Sequence, residues 1–146
     1  KKNIIRINSF GKFFGLAGIR LGFVSGPFEM IKSLEKLVGP WQVSNFALDI
    51  GLQALTDTKW IFTTEKTLMQ SSQNLKDLFV PVNWKLIGDT FLFHTYLTEN
   101  AKKIEEQFAM EKIWIRTFDY SDKWVRIGIP GKDEEWERIK KVIGKL

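Results

Sequence analysis

Residues 9–22 read Ser-Phe-Gly-Lys-Phe-Phe-Gly-Leu-Ala-Gly-Ile-Arg-Leu-Gly, and this stretch restricts the fold more than any other. An apolar run from Ile4 to Ile7 precedes it, and another from Ile19 to Val24 overlaps its end. Branched Ile4, Ile5 and Ile7 predict a strand over residues 3–9, and residues 19–24 read as the next strand. A run apolar on both faces is the pattern of a strand inside a parallel sheet. Between the two, Gly11, Gly15 and Gly18 let the backbone bend and approach a ligand closely. Two strands with uncovered faces are marginal alone, so further structure N-terminal to this chain is expected to complete the sheet.

The same stretch carries chemistry. Ser9 offers a hydroxyl, Arg20 a guanidinium and the loop its backbone N–H groups, all suited to a phosphate. Lys12 offers an amine that can condense with an aldehyde. Pyridoxal 5'-phosphate is the cofactor that needs both. Phe10, Phe13 and Phe14 flank Lys12 and are expected to desolvate its amine and favour the neutral, nucleophilic form. The plainer alternative is an exposed lysine in a flexible loop, as most lysines are. Ser-x-x-Lys with an arginine eight residues later, and Gly-Leu-Ala-Gly-Ile-Arg-Leu-Gly around it, resembles the cofactor-lysine segment of the class I/II aminotransferases. That resemblance implies Lys12 as the catalytic, cofactor-bearing lysine and Ser9 and Arg20 as ligands of the cofactor phosphate. The family often has Ser or Thr just before the lysine where this chain has Gly11, which retains only its backbone N–H.

Downstream, Pro27 starts a helix over residues 28–38, with Phe28, Ile31, Leu34, Leu37 and Val38 at helical spacing. Gly39-Pro40 ends it. Ser44 is placed to cap the next helix, lined by Phe46, Ala47, Ile50, Gly51, Ala54 and Leu55. After a break at Asp57-Thr58, a long polar helix should run over residues 59–79. From Trp84 the pattern changes to strands over 91–97, 112–118 and 124–129 and helices over 99–110 and 133–143, with a turn at Asp89-Thr90. This is an α+β lobe with a mostly antiparallel sheet. The chain thus divides into residues 1–80, an α/β part ending in a linking helix, and residues 81–146, a small α+β domain. The resemblance implies that these are the C-terminal part of the large cofactor-binding domain and the small C-terminal domain of a PLP-dependent, aspartate aminotransferase-like fold.

A second constellation lies in the lobe. Trp114-Ile115-Arg116 and Trp124-Val125-Arg126 repeat Trp-x-Arg on two expected strands, which puts each Trp and Arg on one face. Packing and cation–π attraction to the indole would orient each guanidinium for a carboxylate or phosphate. Surface pairing with Asp119, Asp122 or Glu134 is the alternative, and the residues alone leave it open. The resemblance favours a ligand role: Trp-Val-Arg-Ile-Gly-Ile-Pro-Gly is similar to the strand whose arginine binds the substrate α-carboxylate. That implies Arg126 for the carboxylate and Arg116 near a substrate phosphate. Val38 to Ser44, Ala54 to Trp60 and Ile113 to Phe118 look like the threonine-phosphate decarboxylase branch of the family, which serves cobalamin synthesis. The neighbouring histidinol-phosphate aminotransferase branch shares the same motifs. The implied whole enzyme takes a small phosphorylated amino acid, acts as a decarboxylase or aminotransferase and forms a homodimer. This chain alone lacks the ring-binding aspartate of the family and is expected to be inactive.

Composition narrows the alternatives. Hydrophobic residues at 44% and charged residues at 27% of 146 describe a soluble globular chain. The charge of +5 is scattered among acids and forms no basic tract, so no nucleic-acid partner is expected. No apolar run approaches the ~20 residues of a membrane helix, and the Lys-Lys-Asn opening is no secretory signal. With no cysteine and one histidine, His94, neither a metal site nor a His-based triad is expected. His94 reads as a packed or surface residue, and the absence of cysteine fits a cytoplasmic protein.

Overall fold

The computed structural model describes residues 3–146 and divides into two compact units, Lys1–Ile61 and Phe62–Leu146. The first two lysines lie outside the described residues.

In the first unit, β1 (Arg6–Ser9) and β2 (Gly22–Ser25) pair antiparallel, with Arg6 opposite Ser25 and Ser9 opposite Gly22. This corrects the expected parallel sheet. Both strands are exposed along their length, so the apolar composition of Ile4 to Ile7 does not report burial here. Helix α1 (Phe28–Val38) forms where its spacing predicts, yet buries none of its residues. Helix α2 (Asn45–Thr56) is capped by Ser44, whose hydroxyl accepts from Ala47 N at 3.1 Å. The unit's core is small: Phe10, Leu21 and Ala47, with Phe14, Leu16, Ile19, Val43 and Ala54 packed around them. Gly51 of α2 lies against the Leu21 side chain, leaving no room for a Cβ.

The division between units falls inside helix α3 (Thr58–Phe79), whose Ser72, Leu75 and Phe79 are buried in the second unit. That unit holds an antiparallel four-stranded sheet in the order β3 (Lys85–Asp89), β4 (Phe93–Leu97), β6 (Ser121–Gly128), β5 (Arg116–Phe118). Strand β3 takes the place of the loop and turn expected around Asp89, and β5 is shorter than expected, with a turn at Glu111 and Lys112 (φ +58°) and residues 113–115 outside the ladder. Helices α4 (Ala101–Met110) and α5 (Asp133–Ile143) complete the unit. Alternation along the strands decides the architecture. His94, Tyr96, Val125 and Ile127 point to one face and are buried, Tyr96, Val125 and Ile127 packing with Leu75, Phe79, Phe108, Ile139 and Val142 from the three helices. The opposite face, with Phe93, Thr95, Trp124 and Arg126, is half-buried to exposed. No helix among the described residues is long and apolar enough to cross a membrane.

Candidate functional site

In the first unit the motif residues gather at one end of the β1–β2 hairpin. Ser9 pairs with Gly22, and Phe10 N donates to Leu21 O at 3.3 Å, so Arg20 leaves the ribbon beside Ser9. The Ser9 hydroxyl accepts from Gly11 N at 3.2 Å. Gly15, at φ +66°, donates to Lys12 O and turns the loop back. A 3-10 turn at Ala17–Ile19 then ends on Arg20, whose φ of +55° is uncommon for a side chain with a Cβ and costs about 1–3 kcal/mol. The Arg20 guanidinium donates to Ala17 O at 3.2 Å and remains exposed.

The phenylalanines do not desolvate Lys12. Phe10 is buried in the core. Phe13 and Phe14 pack against each other and against Trp60 of α3, with centroids 5.5 and 5.8 Å from the indole. Lys12 stands exposed at the turn. The donor set at this end, a hydroxyl, a guanidinium, free loop geometry and an exposed primary amine, fits a phosphorylated aldehyde. At Gly11 a Cβ would meet Ala17 at 3.5 Å, an ordinary contact, so nothing steric forbids a Ser or Thr there.

In the second unit, Arg116 and Arg126 are register partners across β5 and β6. Both line an open cavity of about 570 Å³, together with Phe93, Glu105, Trp114 and Asp119. Among the described residues neither guanidinium forms an ion pair with a carboxylate, so the surface-pairing alternative is not realised. Nor do the tryptophans orient them directly. Trp114 precedes β5 and is 94% exposed, while Trp124 packs edge-on to Phe118 and Tyr120. The rings beside the arginines are phenylalanines: Arg126 Cζ lies 4.4 Å from the Phe93 centroid and 6.0 Å from Phe118, and Arg116 Cζ lies 5.6 Å from Phe118. The signal was present at Phe118, two residues after Arg116 and so on its face; the role of Phe93 depends on β4–β6 register.

His94 belongs to the covered face. Its Nε2 is 2.8 Å from Ser72 Oγ and its Nδ1 3.2 Å from Tyr96 Oη. Burial, then Lys76, push its pKa down, so it is held neutral; burial pushes the Tyr96 hydroxyl up. No group of three or more His, Cys, Asp or Glu among the described residues is arranged to hold a metal ion.

The sequence profile of the family described as "Aminotransferase class I and II" matches residues 1–143. The chain belongs to this family. It is 30% identical over 139 residues to threonine-phosphate decarboxylase of Pseudomonas aeruginosa, covering 95% of this chain and 42% of that protein. To threonine-phosphate decarboxylase of Sinorhizobium sp it is 36% identical over 128 residues, covering 87% and 38%. The crystal structure of histidinol-phosphate aminotransferase from Clostridium acetobutylicum matches with a TM-score of 0.84 at 21% identity, covering 97% and 46%. The chain therefore spans about two fifths of the length of the curated relatives it matches. Its fold is a C-terminal part of the PLP-dependent transferase fold, and pyridoxal 5'-phosphate is the cofactor of the family.

Proposed function

We propose that the whole protein is a PLP-dependent lyase that decarboxylates L-threonine O-3-phosphate to aminopropanol phosphate, in a cytoplasmic homodimer serving cobalamin synthesis. The observation that supports this reading is the pair of arginines set against phenylalanine rings, register partners that form no ion pair among the described residues and line an open cavity. Two unmatched guanidiniums suit a substrate with two anionic groups. Residues 1–80 are read as the end of the large domain with its linking helix, and residues 81–146 as the small domain.

Each residue has a stated role. Lys12 Nζ tethers the cofactor aldehyde, and Ser9 and Arg20 hold its phosphate. Arg126, with the shorter ring contact, takes the substrate carboxylate and Arg116 the substrate phosphate. When bound, the cofactor supplies an electron sink for the pair left at Cα as carbon dioxide departs. The chain decides which Cα bond is held in the reactive direction, through where Arg126 fixes the carboxylate. Lys12, released when the substrate amine takes its place on the cofactor, would return a proton to Cα. This chain alone is read as a poor cofactor binder without turnover, as it spans about two fifths of the length of its curated relatives.

The second reading is a histidinol-phosphate-type aminotransferase, supported by 27% identity over 150 residues to histidinol-phosphate aminotransferase of Campylobacter hominis. Product analysis of the whole protein with L-threonine O-3-phosphate separates the two. Carbon dioxide release without an oxo-acid acceptor is expected; a strict need for 2-oxoglutarate would sink the decarboxylase reading.

A further inference from the structure

We infer that Phe118 is a positioning residue of the anion site, whose single ring orients both the Arg116 and the Arg126 guanidinium. The inference rests on the reading of these two arginines as the groups that receive substrate anions.

Like charges directly opposite on neighbouring strands destabilise the pairing, and Arg116 faces Arg126 in register. Among the described residues no carboxylate forms an ion pair with either one, although Glu105 and Asp119 line the same cavity. What lies beside them is π surface. Arg116 Cζ is 5.6 Å and Arg126 Cζ 6.0 Å from the Phe118 centroid, within the range of cation–π attraction. Phe93, by contrast, lies near Arg126 alone, at 4.4 Å. Phe118 is itself braced. Its ring is 5.2 Å from Tyr120 and 6.4 Å from Trp124, and its backbone pairs with Ser121 across the β5–β6 turn. Orientation thus passes from Tyr120 and Trp124 to Phe118 and from there to two cations. A guanidinium already held against a ring loses less freedom when an anion arrives, so the ring raises affinity without touching the ligand.

The test uses the 146-residue chain with 15N-labelled arginine, titrated with inorganic phosphate at low ionic strength. Affinity comes from calorimetry and orientation from the arginine Nε–Hε resonances. Phe118→Leu is expected to weaken phosphate roughly five- to thirtyfold and to shift the resonances of both arginines. Phe118→Tyr, which keeps the ring, restores both readouts, and Phe93→Leu shifts Arg126 alone. If Phe118→Leu loses its sheet by circular dichroism, Tyr120→Ala, at an exposed turn position, is expected to shift both arginine resonances in the same direction. Unchanged affinity and resonances in Phe118→Leu, while Arg116→Gln and Arg126→Gln abolish binding, would overturn the positioning role and leave the anion site standing. Unchanged binding in both arginine variants, or no phosphate response in the unsubstituted chain, would overturn the anion-site reading and this inference with it.

Discussion

Acid should loosen the second unit through His94. The side chain is 0% exposed and bridges Ser72 of α3 to Tyr96 of its own strand. Its folded pKa is depressed, first by burial and then by Lys76, with Asp89 opposing. The unfolded chain therefore binds a proton near pH 6.5 that the folded chain refuses, so stability is complete above that pH and declines below it. The slope approaches 1.4 kcal/mol per pH unit until the folded pKa is reached. Asp89, lowered chiefly by its hydrogen bond to Lys76, acts in a separate window, below its unfolded pKa of 3.8. His94→Leu removes the titration but leaves the Ser72 and Tyr96 hydroxyls unpaired, at about 1–3 kcal/mol each. Its stability should thus be lower near neutrality and flatter below pH 6.5. Urea titrations at pH 7.5, 6.5 and 5.5, followed on the amide signals of β4 and β6, measure both effects. An unsubstituted chain equally stable at pH 7.5 and 5.5, or a variant with the same slope, would refute the reasoning.

Three further outcomes are expected. Gly22→Ala should cost about 1–3 kcal/mol by urea denaturation, because its Cβ would stand 2.9 Å from Asn8 O and backbone cannot yield as a side chain can. Gly18→Ala, with nothing within 4 Å, should stay within about 0.5 kcal/mol and serves as the control. Ser44→Ala should remove about 1 kcal/mol from α2 by taking away its N-cap acceptor, read as a lower urea midpoint. Gly11→Ser should fold normally and, in the whole protein, slow loss of the cofactor on dialysis by adding a hydroxyl beside Ser9.

Helices were the most legible part, because their signals are local. Ser44 caps α2 as expected, and α5 occupies residues 133–143, where Glu135 accepts from Gly131 N and Lys132 N. The antiparallel character of the second unit's sheet was readable from alternation in β4. Strand β3 was not, since Lys-Leu-Ile-Gly-Asp is short, all exposed and bulged between Leu86 and Gly88. The pairing of β1 with β2 was misjudged because apolar composition reports what a strand could bury, and Ile7 and Val24 stay exposed. At the candidate site, residue identity pointed to Arg116 and Arg126, but only register reveals that they face each other. The expected indole partners lost to phenylalanines for the same reason: Trp114 falls outside the strand, and Phe93 reaches Arg126 from a strand remote in sequence.

The claim on which the account turns is that Lys12 is the cofactor lysine. Adding pyridoxal 5'-phosphate to the whole protein, reducing with borohydride and mapping the labelled peptides tests it most directly. The account predicts a single labelled residue, Lys12, with labelling suppressed when Arg20 is replaced by Gln. A label on another lysine, or one spread evenly over the exposed lysines while Lys12 stays free, would contradict it.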